Sequence, residues 1–351
     1  MKFSVIIPIY NGAEYLDRAM ESVLKQVNEG SANVEVILIE NGSTDGSAKK
    51  CDDYAAAYHM VTAFHRGKIG AYAARRLGME VASGDWLLFL DVDDELKAGA
   101  VLDLNSFLDS FSKNDKVPDI IFYNYERVSN ADVTVRTFPF EAGKIYENAD
   151  KKAFYDAMCQ GDLLNPLWNK CVRKKLADIS LAEDENVFLN HGEDLLQTAQ
   201  LLDRAERIVY LDKIVYRYRC DNQGLTGKYH KEFLSNQKYA WEKLEAYAEK
   251  WEDNSPGYRD MIAERKALTT CIAAKTIVMS DMGRKEISEK LKELFEDPFY
   301  REYHALKLPD WASEEDLFYH NIQTSSDPYK MFMKNSLKRR VKAFIKARIR
   351  K

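Results

Sequence analysis

The feature that most constrains the fold is the stretch at residues 84–94, GDWLLFLDVDD. Its apolar residues, 86–90, run without a break, and three carboxylates follow within four positions, at Asp91, Asp93 and Asp94. A continuous apolar run after a glycine is typical of a strand covered on both faces, as in a parallel sheet. Such sheets bind ligands beyond the carboxyl ends of their strands. The stretch therefore predicts a buried strand that ends in an acidic loop at a ligand site.

The acidic loop predicts a bound cation. Three like charges this close raise one another's pKa, so the cluster is costly unless a cation or an array of donors neutralises it. Oxygen ligands without a nearby cysteine suit Mg²⁺ or Mn²⁺. An acidic turn that merely caps the next helix is the alternative, but a cap needs only one carboxylate. We therefore expect a divalent cation at this loop.

Strands and helices alternate through the first part of the chain. Apolar runs predict strands at 3–9, 34–39 and 60–65, and each is followed by a segment with helical spacing, the last at 70–81. This alternation indicates an α/β fold with a mostly parallel, Rossmann-like sheet, whose polar loops converge on one edge and fit a nucleotide. Neither the GxGxxG fingerprint nor a GxxxxGK[ST] phosphate loop occurs in the sequence.

Four segments together resemble the family-2 glycosyltransferases, which are inverting enzymes with the GT-A fold. The segments are SVIIPIYN at 4–11, ENGSTDGS at 40–47, ARRLG at 74–78 and the acidic stretch at 84–94. The resemblance covers most of the first 95 residues. Within the family, the chain is similar to the bacterial polysaccharide branch. It implies an enzyme that transfers a sugar from a nucleoside-diphosphate sugar to an acceptor.

The resemblance also implies a donor site. The implied donor-binding residues lie at strand ends or on the third helix and the loop before it: Pro8, Tyr10, Glu40, Asn41, Lys68, Arg75, Asp91 and Val92. Pro8 and Tyr10 would line the nucleotide base, and Arg75 would face the diphosphate. For Lys68 a solvated surface position is an equal alternative.

The resemblance implies specific roles for Asn41 and for the three acids of the acidic loop. Asn41 stands where the family usually has an acid that accepts a hydrogen bond from the base. Its amide both accepts and donates, so the change either keeps uridine or alters the base preference. In the acidic loop, the resemblance implies that Asp93 binds the metal directly, that Asp91 contacts the ribose or the metal, and that Asp94 supports the loop.

The general base is expected in a later segment. A strand is predicted at 119–128, and LWNKCVR at 167–173 resembles the WNK-type segment of the bacterial branch. Glu193 and Asp194 then open a helix and match the family's ED motif, which implies Asp194 as the base and Glu193 as the residue that orients it or the acceptor. The alternative is that two acids at a helix N-terminus only complement its dipole, worth up to about 1 kcal/mol.

The sequence predicts three divisions of the chain. Residues 1–226 form the glycosyltransferase domain, closing with strands at 207–211 and 215–219 and a loop at 221–226 that resembles the mobile loop of this branch. Residues 227–333 form a helical region that shapes the acceptor site, mediates a homodimer or docks the tail. Residues 334–351 form a basic amphipathic tail helix.

Charge and cysteine content indicate location and partners. Residues 334–351 hold nine Lys or Arg and no acid, which leaves 42 basic and 56 acidic residues in 1–333, a balance of −14. An acidic body argues against nucleic-acid binding, and the tail predicts a helix lying on anionic lipid, with docking on the acidic body as the alternative. Five scattered cysteines, no signal peptide and no membrane-spanning stretch predict a cytoplasmic protein at the inner face of the cell membrane.

These observations together predict an inverting, metal-dependent glycosyltransferase. We expect it to move a sugar from a UDP-sugar to a hydroxyl of a growing, lipid-linked cell-surface glycan. A polyprenyl-phosphate sugar transferase is one alternative, and it would need no general base because its acceptor is already ionised. A non-catalytic glycan-binding relic is another.

Overall fold

The structure is a computed structural model that describes residues 1–28, 33–111, 116–129, 132–181, 188–220, 229–251 and 257–337. Contacts between residues divide the chain into two compact units. The first unit contains Met1–Met158 and Asp162–Asn222, and the second contains Cys159–Gly161 and Gln223–Lys351. The predicted loop at 221–226 and the tail from residue 338 lie outside the described residues.

The first unit is built on one mixed sheet of ten strands. Eight of them form a continuous path in the order β3-β2-β1-β4-β9-β6-β10-β5, while β7 pairs with β6 and β8 pairs with β10. The strands are β1 (Lys2–Ile9), β2 (Asn33–Asn41), β3 (Val61–Arg66), β4 (Trp86–Phe89), β5 (Glu95–Leu96), β6 (Ile120–Val128), β7 (Val133–Arg136), β8 (Tyr146–Glu147), β9 (Lys170–Arg173) and β10 (Arg207–Arg219).

The direction of the strands changes across the sheet. Strands β3, β2, β1 and β4 are parallel, as the alternation of strands and helices predicts. Strand β9 lies between β4 and β6 and runs antiparallel to both, whereas β10 runs parallel to β6. The sheet is therefore parallel from β3 to β4 and mixed in its remaining part.

Within the described ranges, seven α-helices lie wholly or mainly in the first unit, and most of them flank the sheet. They are α1 (Leu16–Asn28), α2 (Ser47–Ala57), α3 (Ala71–Val81), α4 (Ala100–Asp109), α5 (Lys152–Gln160), α6 (Lys174–Leu181) and α7 (Glu193–Arg204). Helix α3 packs on β1 and β2. Its Gly78 has no room for a β-carbon, because the side chain of Ile6 on β1 occupies that space. This close approach fixes α3, and with it Arg75, against the sheet.

One prediction about the strands was wrong. The sequence predicted two closing strands at 207–211 and 215–219, but the structure has the single strand β10, Arg207–Arg219. Its register against β6 shifts between Leu211 and Ile214 and again between Ile214 and Tyr216. The polar residues between the two apolar runs are accommodated by this irregularity, so the strand continues through them.

The second unit is helical, as predicted for this part of the chain. Its helices are α8 (Phe233–Trp251), α9 (Gly257–Met279), α10 (Arg284–Glu296), α11 (Pro298–Tyr303) and α12 (Glu314–Gln323), with residues 328–337 also helical. Helix α9 packs against the other four, and its buried Cys271, Ala274 and Val278 share a core with Leu291 and Phe332. Across the described ranges, no helix combines the length and apolarity needed to cross a membrane.

Candidate active site

The acidic loop follows β4 and is anchored by strand β10 and helix α1. The hydroxyl of Tyr216 accepts a hydrogen bond from the Asp91 backbone N–H at 3.1 Å. Arg18 donates from Nη2 to the backbone oxygen of Asp93 at 2.8 Å. The Asp91 side chain is 27% exposed and the Asp93 residue is half-buried. The loop therefore holds both residues at the carboxyl end of the sheet.

Asp94 faces inward rather than toward solvent. Its carboxylate accepts hydrogen bonds from the Tyr216 hydroxyl at 2.8 Å and from the Arg219 backbone N–H at 2.7 Å. Burial raises the pKa of Asp94 well above its usual range, and the charges of Asp91 and Asp93 add to this rise. Asp94 thus ties the loop to β10 and does not present its oxygens to a ligand.

A second pair of acids lies at the start of helix α7. Glu193 and Asp194 form the first turn, directly after Gly192, whose φ of 78° is a left-handed conformation that glycine adopts without strain. The loop before α7 is bound to the start of α3, because the Tyr72 N–H donates to the Leu189 oxygen at 3.3 Å and the Ala71 N–H donates to Asn190 Oδ1 at 3.2 Å. The first turn of α7 is thereby fixed beside α3.

Lys170 is hydrogen-bonded to helix α7. It is fully buried, and its Nζ donates to the Leu164 oxygen at 3.0 Å, to the Pro166 oxygen and to Thr198 Oγ1 on α7 at 3.1 Å. Burial lowers the pKa of Lys170 well below its usual range. Lys170 belongs to the WNK-type segment at 167–173, for which the sequence predicted no role.

Arg75 joins the two acidic groups. Its guanidinium donates from Nη1 to Asp194 Oδ1 at 2.7 Å and to Glu193 Oε1 at 3.3 Å, and from Nη2 to Asp91 Oδ1 at 3.0 Å. Arg75 is only 5% exposed. The family resemblance implies that Arg75 faces the donor diphosphate, whereas in the structure Arg75 contacts three carboxylates.

The electrostatics of this cluster follow from burial. Three carboxylates surround one guanidinium, so the cation does not balance them. Burial, with the charge of Asp194 adding to it, raises the pKa of Glu193 to about 7. Burial also raises the pKa of Asp194; Arg75 opposes that rise and the charge of Asp91 adds to it. Asp194 has the shortest contact with the cation and is the better placed of the pair to be ionised.

Tyr10 and Lys68 contact each other next to the end of β1. Lys68 Nζ donates to the Tyr10 hydroxyl at 3.1 Å and lies 4.5 Å from the centre of the Tyr10 ring. Tyr10 is 37% exposed, so part of the ring remains open to solvent. Pro8 is half-buried in β1, where it pairs with Ile39 of β2. Tyr10 and Lys68 form an open corner, aromatic and basic, at the carboxyl end of β1.

Glu40 and Asn41 are buried and hold neighbouring loops. Glu40 Oε1 accepts from the Ser43 N–H at 2.5 Å, and Glu40 Oε2 lies 3.5 Å from His65 Nδ1. Asn41 Oδ1 accepts from the Ile69 N–H at 2.8 Å, so this amide fixes the loop that carries Lys68. The carbonyl through which Asn41 was expected to accept from the base already has a protein partner.

The loop after β2 is cross-linked to the turn after β1. Asn11, at a left-handed φ of 50°, accepts from the Thr44 N–H at 2.8 Å, and Asp45 accepts from the Ala13 N–H at 2.9 Å. Val92 packs against Gly12, which has no space for a β-carbon. The predicted donor residues after β1, β2 and β4 therefore lie in loops that are tied to one another.

Comparison with known proteins identifies the family. Residues 4–162 match the family described as Glycosyl transferase family 2. Residues 4–162 therefore carry a glycosyltransferase family 2 domain. This glycosyltransferase is similar to EpsH of Bacillus subtilis, with 23% identity over 308 residues that span 85% of this chain and 84% of EpsH. It is also similar to the glycosyltransferase GlyG of Streptococcus pneumoniae, with 28% identity over 62% of this chain and 70% of GlyG.

Two further similarities are to a teichoic acid biosynthesis protein and to a solved structure. The minor teichoic acid biosynthesis protein GgaB of Bacillus subtilis is 27% identical over 63% of this chain and 23% of its own length. Residues 1–349 of TarS from S. aureus, solved in complex with UDP-GlcNAc, match with a TM-score of 0.56 at 16% identity, over 97% of this chain and 92% of that one. This likeness confirms the predicted GT-A fold with its C-terminal helical region.

The acidic loop fits a metal that is shared with a substrate. Asp94 is buried and already bonded, and Asp91 uses one oxygen for Arg75, so the fit of an ion rests on the half-buried Asp93 and on the second oxygen of Asp91. Among the described residues, no group of three or more His, Cys, Asp or Glu side chains is arranged to hold a metal ion by itself. Mg²⁺ is commonly held by one or two carboxylates and by substrate phosphates. Asp91 and Asp93 therefore fit an ion of this kind.

Proposed function

We propose that this family 2 glycosyltransferase transfers a sugar, with inversion, from a UDP-sugar to a hydroxyl of a cell-surface glycan. Two similarities support this choice of substrates. TarS, which shares the fold, was solved in complex with UDP-GlcNAc, and GgaB is named for teichoic acid biosynthesis. We further propose that the acceptor is carried on a lipid.

The observation that carries this proposal is the position of Asp194 beside the acidic loop. Asp194 and Asp91 are bound by the same guanidinium, so a carboxylate at the start of α7 stands next to the loop at the end of β4. A sugar whose diphosphate lies at the acidic loop would present its anomeric carbon near Asp194. We assign Asp194 as the base that takes the acceptor hydroxyl proton, so that the oxygen attacks from the face opposite the leaving diphosphate.

Glu193 is assigned to orient Asp194 or the acceptor. It lies on the same guanidinium nitrogen as Asp194 and is 13% exposed. With its pKa near 7, Glu193 is partly protonated at neutral pH and can donate a hydrogen bond, which an ionised carboxylate cannot do.

The donor side is assigned as follows. Asp93 and Asp91 would hold Mn²⁺ or Mg²⁺. When bound there together with the donor phosphates, the ion would neutralise charge on the departing nucleoside diphosphate. Tyr10, Pro8 and Val92 would contact the nucleoside, with the open part of the Tyr10 ring as the stacking surface.

Lys68 is assigned to the phosphates, because its ammonium group lies at the open corner beside Tyr10. Glu40 and Asn41 would act mainly by fixing the loops that surround the nucleoside.

Calorimetry with nucleotides tests this assignment. UDP, GDP, CDP and ADP would be titrated into the full chain with and without Mn²⁺, on wild type and on Asp93→Ala. Asp53→Ala is the control, since Asp53 only pairs with Lys49 on the surface of α2. We expect Mn²⁺-dependent binding of UDP that is lost in Asp93→Ala and kept in Asp53→Ala. Failure of every nucleotide to bind wild type in the presence of Mn²⁺ would overturn the proposed function.

A second experiment separates a hydroxyl acceptor from a phosphate acceptor. A polyprenyl-phosphate acceptor is already ionised and needs no base, so its transferase would tolerate Asp194→Asn. We expect Asp194→Asn to bind UDP like wild type and to lower turnover by about 10² to 10⁴, the usual contribution of a general base. Full activity of Asp194→Asn would remove the assigned role of Asp194 and favour the phosphate acceptor.

We also propose how the rest of the chain serves this reaction. Residues 1–226 would form the catalytic domain, and the helical region 227–333 would shape the acceptor site or support a homodimer. The tail at 334–351, with nine basic residues and no acid, would attach the cytoplasmic enzyme to anionic lipid at the inner face of the membrane. This arrangement would bring the active site to a lipid-linked acceptor.

A further inference from the structure

We propose that Arg75 is a positioning residue that holds Asp194 beside the donor loop, and that it is not a ligand of the donor diphosphate. The proposal rests on the proposed function, because it assumes that Asp194 is the base. It departs from what the family resemblance implies for this position, which is an arginine that faces the diphosphate.

Both terminal nitrogens of Arg75 are bound to carboxylates of the protein, and its Nε is buried without a hydrogen-bond partner. Nη1 donates to Asp194 and Glu193 at 2.7 and 3.3 Å, and Nη2 donates to Asp91 at 3.0 Å. The side chain is 6% exposed. To bind a phosphate, the guanidinium would have to leave carboxylates that are themselves largely shielded from water. Removing the cation from a buried ion pair is strongly unfavourable, so the carboxylates hold Arg75 in place.

The shape of the guanidinium suits a spacer between two carboxylates. It is planar and presents donors in a fixed fork, so groups bound to its two terminal nitrogens are held at a defined separation. The backbone that carries Arg75 is also fixed, because Gly78 on the same helix packs directly on Ile6 of β1. Asp91 and Asp194 come from segments that lie 16 and 119 residues from Arg75 along the chain. One rigid side chain therefore sets the distance between the donor loop and the base.

The charge of Arg75 also favours the ionised form of Asp194. Burial and the charge of Asp91 both favour the protonated acid, and Arg75 opposes them. A base must be ionised to accept a proton, so loss of Arg75 should remove catalysis without removing the surface that binds nucleotide.

Substitutions at Arg75 test this division. The variants are Arg75→Gln and Arg75→Lys, with Arg76→Gln as the matched control. Arg76 is the next residue on α3, and its guanidinium lies 5.5 Å from the centre of the Tyr72 ring. Two quantities would be measured on the full chain: UDP affinity in Mn²⁺ by calorimetry, and UDP release from UDP-glucose, UDP-galactose and UDP-N-acetylglucosamine.

We expect UDP affinity within about threefold of wild type for both Arg75 variants, because their donor-binding residues are unchanged. We expect UDP release to fall by about 10² or more in Arg75→Gln, the scale of a lost general base. Arg75→Lys should recover little, because a single ammonium group cannot span both carboxylates as a fork does. Arg76→Gln should match wild type in both measurements.

A further variant guards against misfolding. Arg75→Gln leaves three acids without their cation, whereas the double variant Arg75→Gln/Glu193→Gln removes one of those acids as well. We expect this double variant to fold, to bind UDP like wild type and to remain inactive. Addition of guanidinium ion at non-denaturing concentration to Arg75→Ala should restore part of the UDP release, which a purely structural defect would not allow.

The outcomes separate this proposal from the proposed function. Weakening of UDP binding by tenfold or more in the folded Arg75 variants, with Arg76→Gln unaffected, would mean that Arg75 contacts the donor and would overturn the proposal. Normal UDP release in Arg75→Gln would also overturn it. Failure of wild type to bind any nucleotide would instead overturn the proposed function, and this proposal with it.

Discussion

At the scale of single residues, the charge state of the acids in the site depends on the one guanidinium that they share. Arg75 is shared by Asp91, Glu193 and Asp194, so one of the three carboxylates gains least from it. Glu193 has the longest of the three contacts, at 3.3 Å, and its pKa is raised to about 7. Of the three acids, Glu193 is therefore the one whose ionised form is least stabilised by Arg75, and it lies next to the assigned base.

Glu193→Gln should change how stability depends on pH. The carboxyl of Glu193 ionises near pH 4.5 in the unfolded chain but near 7 in the fold, so the folded state binds more protons between these values. Wild type should lose stability as pH rises from about 4.5 to 7, and the variant should not lose this part. We expect the variant to be more stable than wild type at pH 8 by the order of 1 to 3 kcal/mol, since one pKa unit is about 1.4 kcal/mol.

Urea unfolding of both proteins at pH 5 and pH 8 measures this difference. The gap between variant and wild type should shrink toward pH 5, where Glu193 is protonated in the folded state. A gap of equal size at both pH values would contradict the assigned pKa.

The sequence identified the acids of the site but not the contact that joins them. The position of Asp91, Asp93 and Asp94 after an apolar strand, and of Asp194 at a helix start, can be deduced from local patterns. The meeting of Arg75 with Asp194 depends on how α3 and α7 pack, across 119 residues of chain. Local periodicity carries no information on that packing.

At the scale of elements, the contact of α3 with the sheet positions the site. The small residues of α3 predicted close packing, and Gly78 shows where that packing is tightest, because Ile6 fills the space of a β-carbon. The sequence was less informative for β10, where polar residues between two apolar runs were interpreted as a break in the strand. A register shift against β6 accommodates them, and such shifts depend on the neighbouring strand.

Gly78→Ala tests the tight contact. Alanine gains up to about 1 kcal/mol in helix propensity, but overpacking a core costs about 1 to 3 kcal/mol, so we expect net destabilisation. Gly67→Ala is the control, because a β-carbon there meets open space. The urea midpoint should fall for Gly78→Ala and stay nearly unchanged for Gly67→Ala. A midpoint for Gly78→Ala at or above that of wild type would show that α3 does not approach the sheet this closely.

At the scale of the whole molecule, charge is distributed unevenly along the chain. The tail at 334–351 carries nine basic residues, while the rest of the chain carries an excess of acids. The described part of the chain ends at residue 337, where the last helix still contributes buried residues, Phe332 and Ser336. A truncation that tests the tail should therefore follow Leu337, so that this core remains.

Vesicle flotation compares the full chain with a chain that ends at Leu337. We expect the full chain to float with vesicles that contain phosphatidylglycerol and the truncated chain to remain below. Each basic residue near such a surface contributes about 1 kcal/mol, so salt should weaken the binding. A full-length variant with Lys338, Arg339 and Arg340 changed to Gln separates charge from length. Equal flotation of all three proteins would remove the membrane assignment.

The stereochemistry of sugar transfer tests the central claim most directly. The UDP-sugar that wild type turns over would be followed by ¹H NMR in the presence of Mn²⁺, with the anomeric proton of the first product recorded before mutarotation. With Asp194 as a base and no covalent intermediate, we predict a product whose anomeric configuration is opposite to that of the donor, and a much slower reaction in Asp194→Asn. A product that retains the configuration of the donor would contradict the account.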